Sequence, residues 1–308
     1  MDEFQNKVAF VTGGVSGIGL GIAKVLADEG MKVAISWRNQ AHLDSALAYF
    51  TDKGLRENIH PIKLDVTDRE GFARAADTVE RAFGKVHLLV NNAGVSVFGP
   101  TDEASYDDYD WIMGVNFGGV VNGLVSFIPK LKAHGEGGHI VNVASMAAFL
   151  PGPQAGIYTA SKFAVRGLTE CLRDNLAPWN IGVSLMTPAL TKTNAWDSAL
   201  GRPAKYADTK WTASRADLEQ MRPVFEVGMD PVEVGRRTLR GIMRNDLYIV
   251  THPENKDEAR ELCDAIIAAF PNEPIDPARE EIEKLRRQAR IDARTKKIGI
   301  GDLTGGGN

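Results

Sequence analysis

Three side chains in the middle of the chain carry chemistry by type and spacing. Tyr158 and Lys162 stand in the run Tyr158-Thr159-Ala160-Ser161-Lys162, and Ser145 precedes the tyrosine by thirteen residues. On a helix, positions i and i+4 share one face a turn apart, so the ammonium comes near the phenol. A free tyrosine, with a pKa near 10, is a poor base at neutral pH. A neighbouring positive charge favours the phenolate and lowers that value. Such a phenol can take a proton from an alcohol or give one to a carbonyl. A serine hydroxyl beside it can hydrogen-bond an oxygen on which negative charge develops. A tyrosine and lysine at this spacing are common by chance. A serine placed just after a strand-like run, in a chain that also carries a glycine turn, is not.

That glycine turn lies near the amino terminus. The apolar run 8–11 leads into Thr12-Gly13-Gly14-Val15-Ser16-Gly17-Ile18-Gly19, and helix-like sequence follows. A chain turning tightly from strand to helix beside a pyrophosphate needs residues without Cβ, and the helix start offers free N–H groups and a favourable dipole to the anion. The turn predicts a dinucleotide site on Gly13, Ser16, Gly17, Ile18 and Gly19. About twenty residues further, where a carboxylate would bind the ribose hydroxyls, the sequence has Trp37 followed by Arg38. A missing acid beside a planar phosphate donor predicts NADP(H) in preference to NAD(H). Dual use of both is the rival, because there is one arginine and Ser16 is uncharged. Asp65-Val66 closes the third strand, within reach of an adenine. Asn91-Asn92-Ala93-Gly94 follows the fourth, where a dinucleotide crevice would lie.

These groups need a scaffold that alternates strands and helices. Short Val-, Ile- and Leu-rich runs at 8–11, 32–36, 59–64, 88–90, 139–143, 182–186 and 247–250 read as strands buried on both faces. Helical periods at 19–29, 40–53, 69–83, 106–132 and 158–176 separate them, and a further helix starts near Pro231. The expectation is an α/β fold: a Rossmann-type, doubly wound, seven-stranded parallel sheet with helices on both faces. One domain covers 1–271, with a long polar connection at 191–229. Residues 272–308 form a highly charged helix at 280–297 and a tail with Gly305-Gly306-Gly307. That segment is either solvated or an arm packing on a neighbouring subunit.

Together these residues resemble the short-chain dehydrogenase/reductase family over about residues 7–248. The resemblance implies a catalytic tetrad of Asn116, Ser145, Tyr158 and Lys162. Asn116 would fix a helix irregularity and a proton-relaying water, and Lys162 would also hold the ribose. It further implies that Asn92, Ala93 and Gly94 shape the ribose site, and that Pro188 and Thr193 contact the nicotinamide side of the cofactor. Ala189, Ala144 and Trp37 depart from the common pattern without touching the tetrad. Homodimers or homotetramers built through the fourth and fifth helices are usual in the family.

The resemblance places the substrate lid at 191–229, where Trp196, Tyr206, Trp211, Met221 and Phe225 fall. These residues either line the pocket of a bulky apolar or aromatic substrate or pack the lid together. The stretches Phe98-Gly99-Pro100, 106–111 and 201–206 are similar to bacterial Cα-dehydrogenases, which oxidise benzylic alcohols of lignin-derived aryl ethers. The expected function is a secondary alcohol/ketone oxidoreductase. Two other readings stand beside it: a 3-oxoacyl thioester reductase, for which Arg202, Lys205, Lys210, Arg215 and Arg222 would supply a basic patch, and a non-catalytic dinucleotide-binding regulator.

Composition excludes other classes. With 36 basic and 40 acidic residues and a net charge of −4, nothing points to nucleic acid or an acidic membrane. No apolar stretch suggests a membrane span, and the first residues do not read as a signal peptide. The six histidines show no metal-ligand spacing, so no metal is expected. Cys171 and Cys263 read as buried, reduced thiols of a cytoplasmic protein.

Overall fold

The computed structural model describes residues 4–294. The strands are β1 (Val8–Val11), β2 (Lys32–Trp37), β3 (Ile59–Lys63), β4 (Leu88–Asn91), β5 (Gly138–Val143), β6 (Ile181–Thr187) and β7 (Tyr248–Val250). All pair in parallel, in the order β3-β2-β1-β4-β5-β6-β7. This is the expected Rossmann-type sheet, with strand limits within a residue of those read from the sequence.

The helices are α1 (Gly17–Asp28), α2 (Gln40–Asp52), α3 (Arg69–Phe83), α4 (Tyr106–Met113), α5 (Gly119–His134), α6 (Gly156–Leu176), α7 (Arg215–Glu219), α8 (Arg222–Glu226), α9 (Pro231–Met243), α10 (Lys256–Ala268) and α11 (Pro277–Asp292). β1 shows why the sheet must be covered twice. Its alternate residues Val8 and Phe10 enter one core, with Phe72 of α3, Phe127 of α5 and Val165 of α6. Ala9 and Val11 enter the other, with Ile22 of α1, Phe50 of α2 and Val234 of α9. Phe10 stacks on Phe127 at 5.0 Å between ring centroids, and Phe72 meets both edge-on. β1 pairs with both β2 and β4, so the strand order reverses there and opens a crevice at the carboxyl ends.

The helix expected at 106–132 is continuous but irregular, because a π turn at Gly114–Gly118 joins α4 to α5. The combined element, Tyr106–His134, is long and apolar enough to cross a membrane, which corrects the expectation that no such stretch exists. Half of its most apolar window is buried inside the protein. Val120, Leu124, Phe127 and Leu131 sit in the core beneath the sheet, as a core helix requires.

The connection at 191–229 has its ends tied together. Thr191 and Met229 form a parallel bridge, and Lys192 N–H donates to the Met229 carbonyl at 2.9 Å. Beyond β7, α10 and α11 bury no residues. The charged helix starts earlier than expected, at Pro277, where the Asp276 carboxylate accepts from Ala278 and Arg279 N–H. Arg294 pairs with Asp174 of α6 at 2.8 Å. The rest of the expected tail, including Gly305–Gly307, lies outside the described residues. Cys171 and Cys263 are unpaired but exposed, contrary to the buried reading. Both fall on the solvent sides of their helices.

Candidate active site

The glycine turn folds as its spacing requires. Gly13 (φ 63°) and Gly17 (φ 50°) take left-handed conformations that other residues rarely adopt. Gly19 is needed for a different reason, since a Cβ there would stand 2.3 Å from the Gly13 carbonyl oxygen. Thr12 locks the turn to the next loop. Its hydroxyl accepts from Asn92 and Ala93 N–H at 2.8 and 2.9 Å, and Asn92 Nδ2 donates to the Thr12 carbonyl. Ser36 Oγ accepts from Gly13 N–H at 2.9 Å. Ser36 is therefore a strut of the turn through its hydroxyl oxygen, and it also lines the cleft. At the start of α1 no side chain caps the first N–H groups, Ser16 included, so they remain free for an anion.

A cleft of ≈640 Å³ runs from this turn across the carboxyl ends of the strands. Gly13, Ser16, Gly17 and Ile18 form one end. Arg38 and Val66 flank it, and Asn92, Ala93 and Gly94 form its floor. Ser145, Tyr158, Lys162, Pro188 and Thr193 line the far part. Three residues named from the sequence are not part of its lining. Gly19 packs on Gly13, and Asn116 sits beneath the floor. The Asp65 carboxylate engages the Thr67 N–H and hydroxyl and lies 3.6 Å from Arg38. Burial would raise the Asp65 pKa, but Thr67 and the positive charge of Arg38 outweigh it and hold the group below the carboxylate range. Asn39, a possible polar contact for a phosphate, caps α2 through its side-chain oxygen instead.

The chemical end is assembled by β5, the π turn and α6. Ser145 follows β5, and its Oγ accepts from Ala147 N–H at 3.1 Å. α6 begins two residues before Tyr158, so the phenol stands in the first turn and Lys162 one turn on. Lys162 is buried, its Nζ donating to the Val143 carbonyl at 3.3 Å and lying 5.4 Å from the Tyr158 ring centre. Burial lowers Lys162 to about 8. Desolvation pushes the Tyr158 phenol above its ordinary 10, and hydrogen bonds from Ser145 and Ser96 act against it. Asn116, in the π turn, holds the loop above. Its Oδ1 accepts from Val95 N–H at 2.8 Å, and its Nδ2 donates to the Val95 carbonyl and to Ser161 Oγ. A phenol, a serine hydroxyl and an ammonium thus meet on one wall, an arrangement suited to moving a proton at an alcohol or carbonyl oxygen.

Sequence reasoning missed Ser96 and Phe98, which follow the Asn-Asn-Ala-Gly run on the same wall; the Phe98 ring meets the Tyr158 ring edge-on at 5.7 Å. It also missed Thr12 and His42; the latter lines the cleft beside Arg38. Of the five lid residues singled out, only Phe225 lines the cleft. Trp211 is buried against Gly99, its indole N–H donating to the Pro100 carbonyl at 3.1 Å. Tyr206 packs on the core, and Met221 is exposed. Tyr206 and Trp211 pack the lid onto the core, while Phe98 and Phe225 supply the aromatic wall.

The cleft fits a dinucleotide. Its free helix N–H groups, its Cβ-free turn and its length across the switch point match what a pyrophosphate with two flanking nucleosides requires.

Residues 7–201 match the short chain dehydrogenase family. A C alpha-dehydrogenase of Sphingobium sp. (strain NBRC 103272 / SYK-6) is 39% identical over 99% of this chain and 100% of its own. A putative short-chain dehydrogenase structure from Novosphingobium aromaticivorans is 40% identical, with a TM-score of 0.82 over 97% of this chain and 100% of that one. A short chain dehydrogenase/reductase from Burkholderia phymatum, solved with NAD, is 34% identical, with a TM-score of 0.80 over 90% of this chain and 100% of that one. The sheet order, the glycine turn and these full-length likenesses agree, and the chain belongs to the short-chain dehydrogenase family of oxidoreductases.

Proposed function

We propose that the protein interconverts a neutral, bulky secondary alcohol and its ketone, with Tyr158 as the acid/base and NADP(H) preferred over NAD(H). The observation that carries this reading is the convergence of Ser145, Tyr158 and Lys162 on one wall of the cleft that begins at the glycine turn. When bound, the nicotinamide supplies or accepts the hydride. In oxidation, Tyr158 takes the alcohol proton while the Ser145 hydroxyl donates to the developing alkoxide. In reduction, Tyr158 gives the proton to the carbonyl oxygen. Lys162, charged below about pH 8, favours the phenolate and offers N–H donors to the ribose hydroxyls. Asn116 keeps the loop above the phenol in place.

The substrate end is lined by Phe98, Ala147, Leu150, Leu190 and Phe225, with hydroxyls at Ser96 and Ser145. Its basic residues stand at the cofactor end (Arg38, His42) or behind the tyrosine (Lys162). That suits an uncharged aromatic alcohol such as the benzylic alcohols the sequence resemblance suggests. A 3-oxoacyl carrier would want a basic mouth. The lid cations do not line the cleft; Arg202 is taken by Asp108, Arg215 by Glu219 and Arg222 by Glu226.

Support for NADP(H) is the placement of Arg38 and His42 on the cleft wall beside Trp37, where a carboxylate would otherwise repel a 2′-phosphate. We further propose a cytoplasmic homodimer or homotetramer built through α5 and α6, where Val125 and Phe163 are exposed. The test of function is a panel of aryl alcohols, aryl ketones and 3-oxoacyl thioesters assayed with both cofactors by nicotinamide absorbance. Turnover of aryl alcohols or ketones is expected. Turnover of the thioesters alone, or of nothing, overturns the reading.

A further inference from the structure

We propose that His252 is a positioning residue for the reaction. Its ring fixes the strip 188–191, the part of the cleft wall between the Ser145 loop and the root of the lid. The proposal rests on the alcohol/ketone reading of this cleft.

β6 and β7 run side by side as far as Thr187 and Val250. The next residue after β6, Pro188, has no N–H to carry the ladder on. Beyond that point a side chain takes over from the backbone. Ala189 N–H donates to His252 Nδ1 at 3.0 Å, and His252 Nε2 lies 2.8 Å from the Leu190 carbonyl. A backbone N–H can only donate, so Nδ1 is the bare nitrogen. The ring proton is then on Nε2 and is donated to the Leu190 carbonyl. The Thr251 hydroxyl, 2.8 Å from Nδ1, is a second donor to it. One imidazole therefore holds the N–H of residue 189 and the carbonyl of residue 190.

The ring is itself well anchored. His252 is 5% exposed, and Thr251 is fully buried. Arg237 of α9 donates to the Thr251 carbonyl, and Glu233 holds the same guanidinium at 2.8 Å. The strip is also tied at both ends. Met146 N–H, next to Ser145, donates to the Pro188 carbonyl at 2.9 Å, and Met229 N–H, from the far end of the lid, donates to the Leu190 carbonyl at 3.0 Å. Residues 188–190 are neither strand nor helix, so their middle depends on His252. Pro188, Ala189, Leu190 and Thr191 all line the cleft that Ser145 and Tyr158 line. A reacting centre displaced by about 1 Å can cost about a hundredfold in rate. Loosening this wall should therefore slow turnover while the glycine turn keeps its hold on the nucleotide.

Three variants test the proposal. His252→Phe keeps a ring and removes both bonds. His252→Asn keeps an acceptor at the δ position, and His252→Gln keeps a donor at the ε position. Amide exchange is followed on the unliganded proteins, and kcat and cofactor affinity, the latter by fluorescence, on the same samples. In His252→Phe the Ala189 amide should exchange faster while β6 stays protected. Its kcat should fall about ten- to a hundredfold with cofactor affinity nearly unchanged. His252→Asn should restore slow exchange and most of the kcat, and His252→Gln should restore neither. Wild-type kcat in His252→Phe, equal losses in His252→Asn and His252→Phe, or a loss matched by missing cofactor-binding sites overturns the proposal. A wild type that turns over no alcohol or ketone overturns the functional reading and the positioning role with it, and the Ala189 exchange then reports on the clamp alone.

Discussion

Arg202 Nη2 lies 2.6 Å from Asp108 Oδ1, although 94 residues separate them, and the guanidinium stacks 4.6 Å over the Trp111 ring. The Asp108 side chain is wholly buried and that of Arg202 is 11% exposed. The same carboxylate accepts from Thr209 and takes part in the Ser105 capping box at the start of α4. The first part of the lid is thereby latched to α4. The two sequence stretches that resemble Cα-dehydrogenases, 106–111 and 201–206, are the two halves of this latch.

Asp108→Asn should loosen it. Removing one partner of a buried ion pair typically costs about 3–5 kcal/mol because the other charge is stranded. The variant should melt at lower temperature, and its lid should be cleaved faster in limited proteolysis. Burial would raise the Asp108 pKa, but hydrogen bonds from Ser105, Thr209 and Arg202 outweigh it and hold the group low. The latch therefore survives mild acid and is lost only as pH falls below the ordinary carboxylate range. Wild-type melting and cleavage in Asp108→Asn would show that the latch carries no weight.

Lys162 should cost stability. Its pKa is about 8 in the folded protein and near 10.5 unfolded. Between those values the unfolded chain holds the extra proton, so stability rises with pH from about 8 to about 10.5, and the full penalty stands below pH 8. That penalty is on the order of 3 kcal/mol at pH 7. Lys162→Met should raise Tm by several degrees at pH 7, by less above pH 8, and remove turnover. A lower Tm at pH 7 would mean that the bond to the Val143 carbonyl outweighs the buried charge.

The lid should divide into two parts in amide exchange. Residues 193–211 are held by the latch and by Trp211, whereas α7 and α8 bury nothing. Exchange should be slow in the first part and fast at 212–227. Uniform exchange across the lid would contradict the latch.

Arg38 should set cofactor choice. A charge-assisted bond to a 2′-phosphate contributes about 1.5–3 kcal/mol, or roughly ten- to a hundredfold in preference. Its pairing with Asp65 is half-exposed and 3.6 Å long, and so competes weakly. Arg38→Ala should lower kcat/KM with NADP(H) by that factor and leave NAD(H) nearly unchanged. An unaltered ratio would show that Arg38 does not read the phosphate.

Much of the fold and the core of the site are legible in the sequence because they are local. The turn needs glycine at 13, 17 and 19, and the tyrosine and lysine need one helix turn between them. What was not legible depends on contacts between distant segments. Nothing near Ser96 says that it lines the cleft with Tyr158, because Asn116, a distant residue, holds its neighbour Val95. Nothing near Trp211 says that it turns away from the cleft, because Gly99 makes the room; a Cβ there would lie 2.4 Å from the indole. The exposed cysteines were misread because burial was inferred from residue type alone.

The most direct test of the account is turnover of Tyr158→Phe with the best aryl alcohol of the panel, measured alongside cofactor affinity. The phenylalanine keeps the ring against Phe98 and removes only the hydroxyl. The account predicts unchanged cofactor binding and a fall in kcat of about 10²–10⁴-fold, the usual contribution of general acid–base catalysis. Near-normal turnover would contradict it.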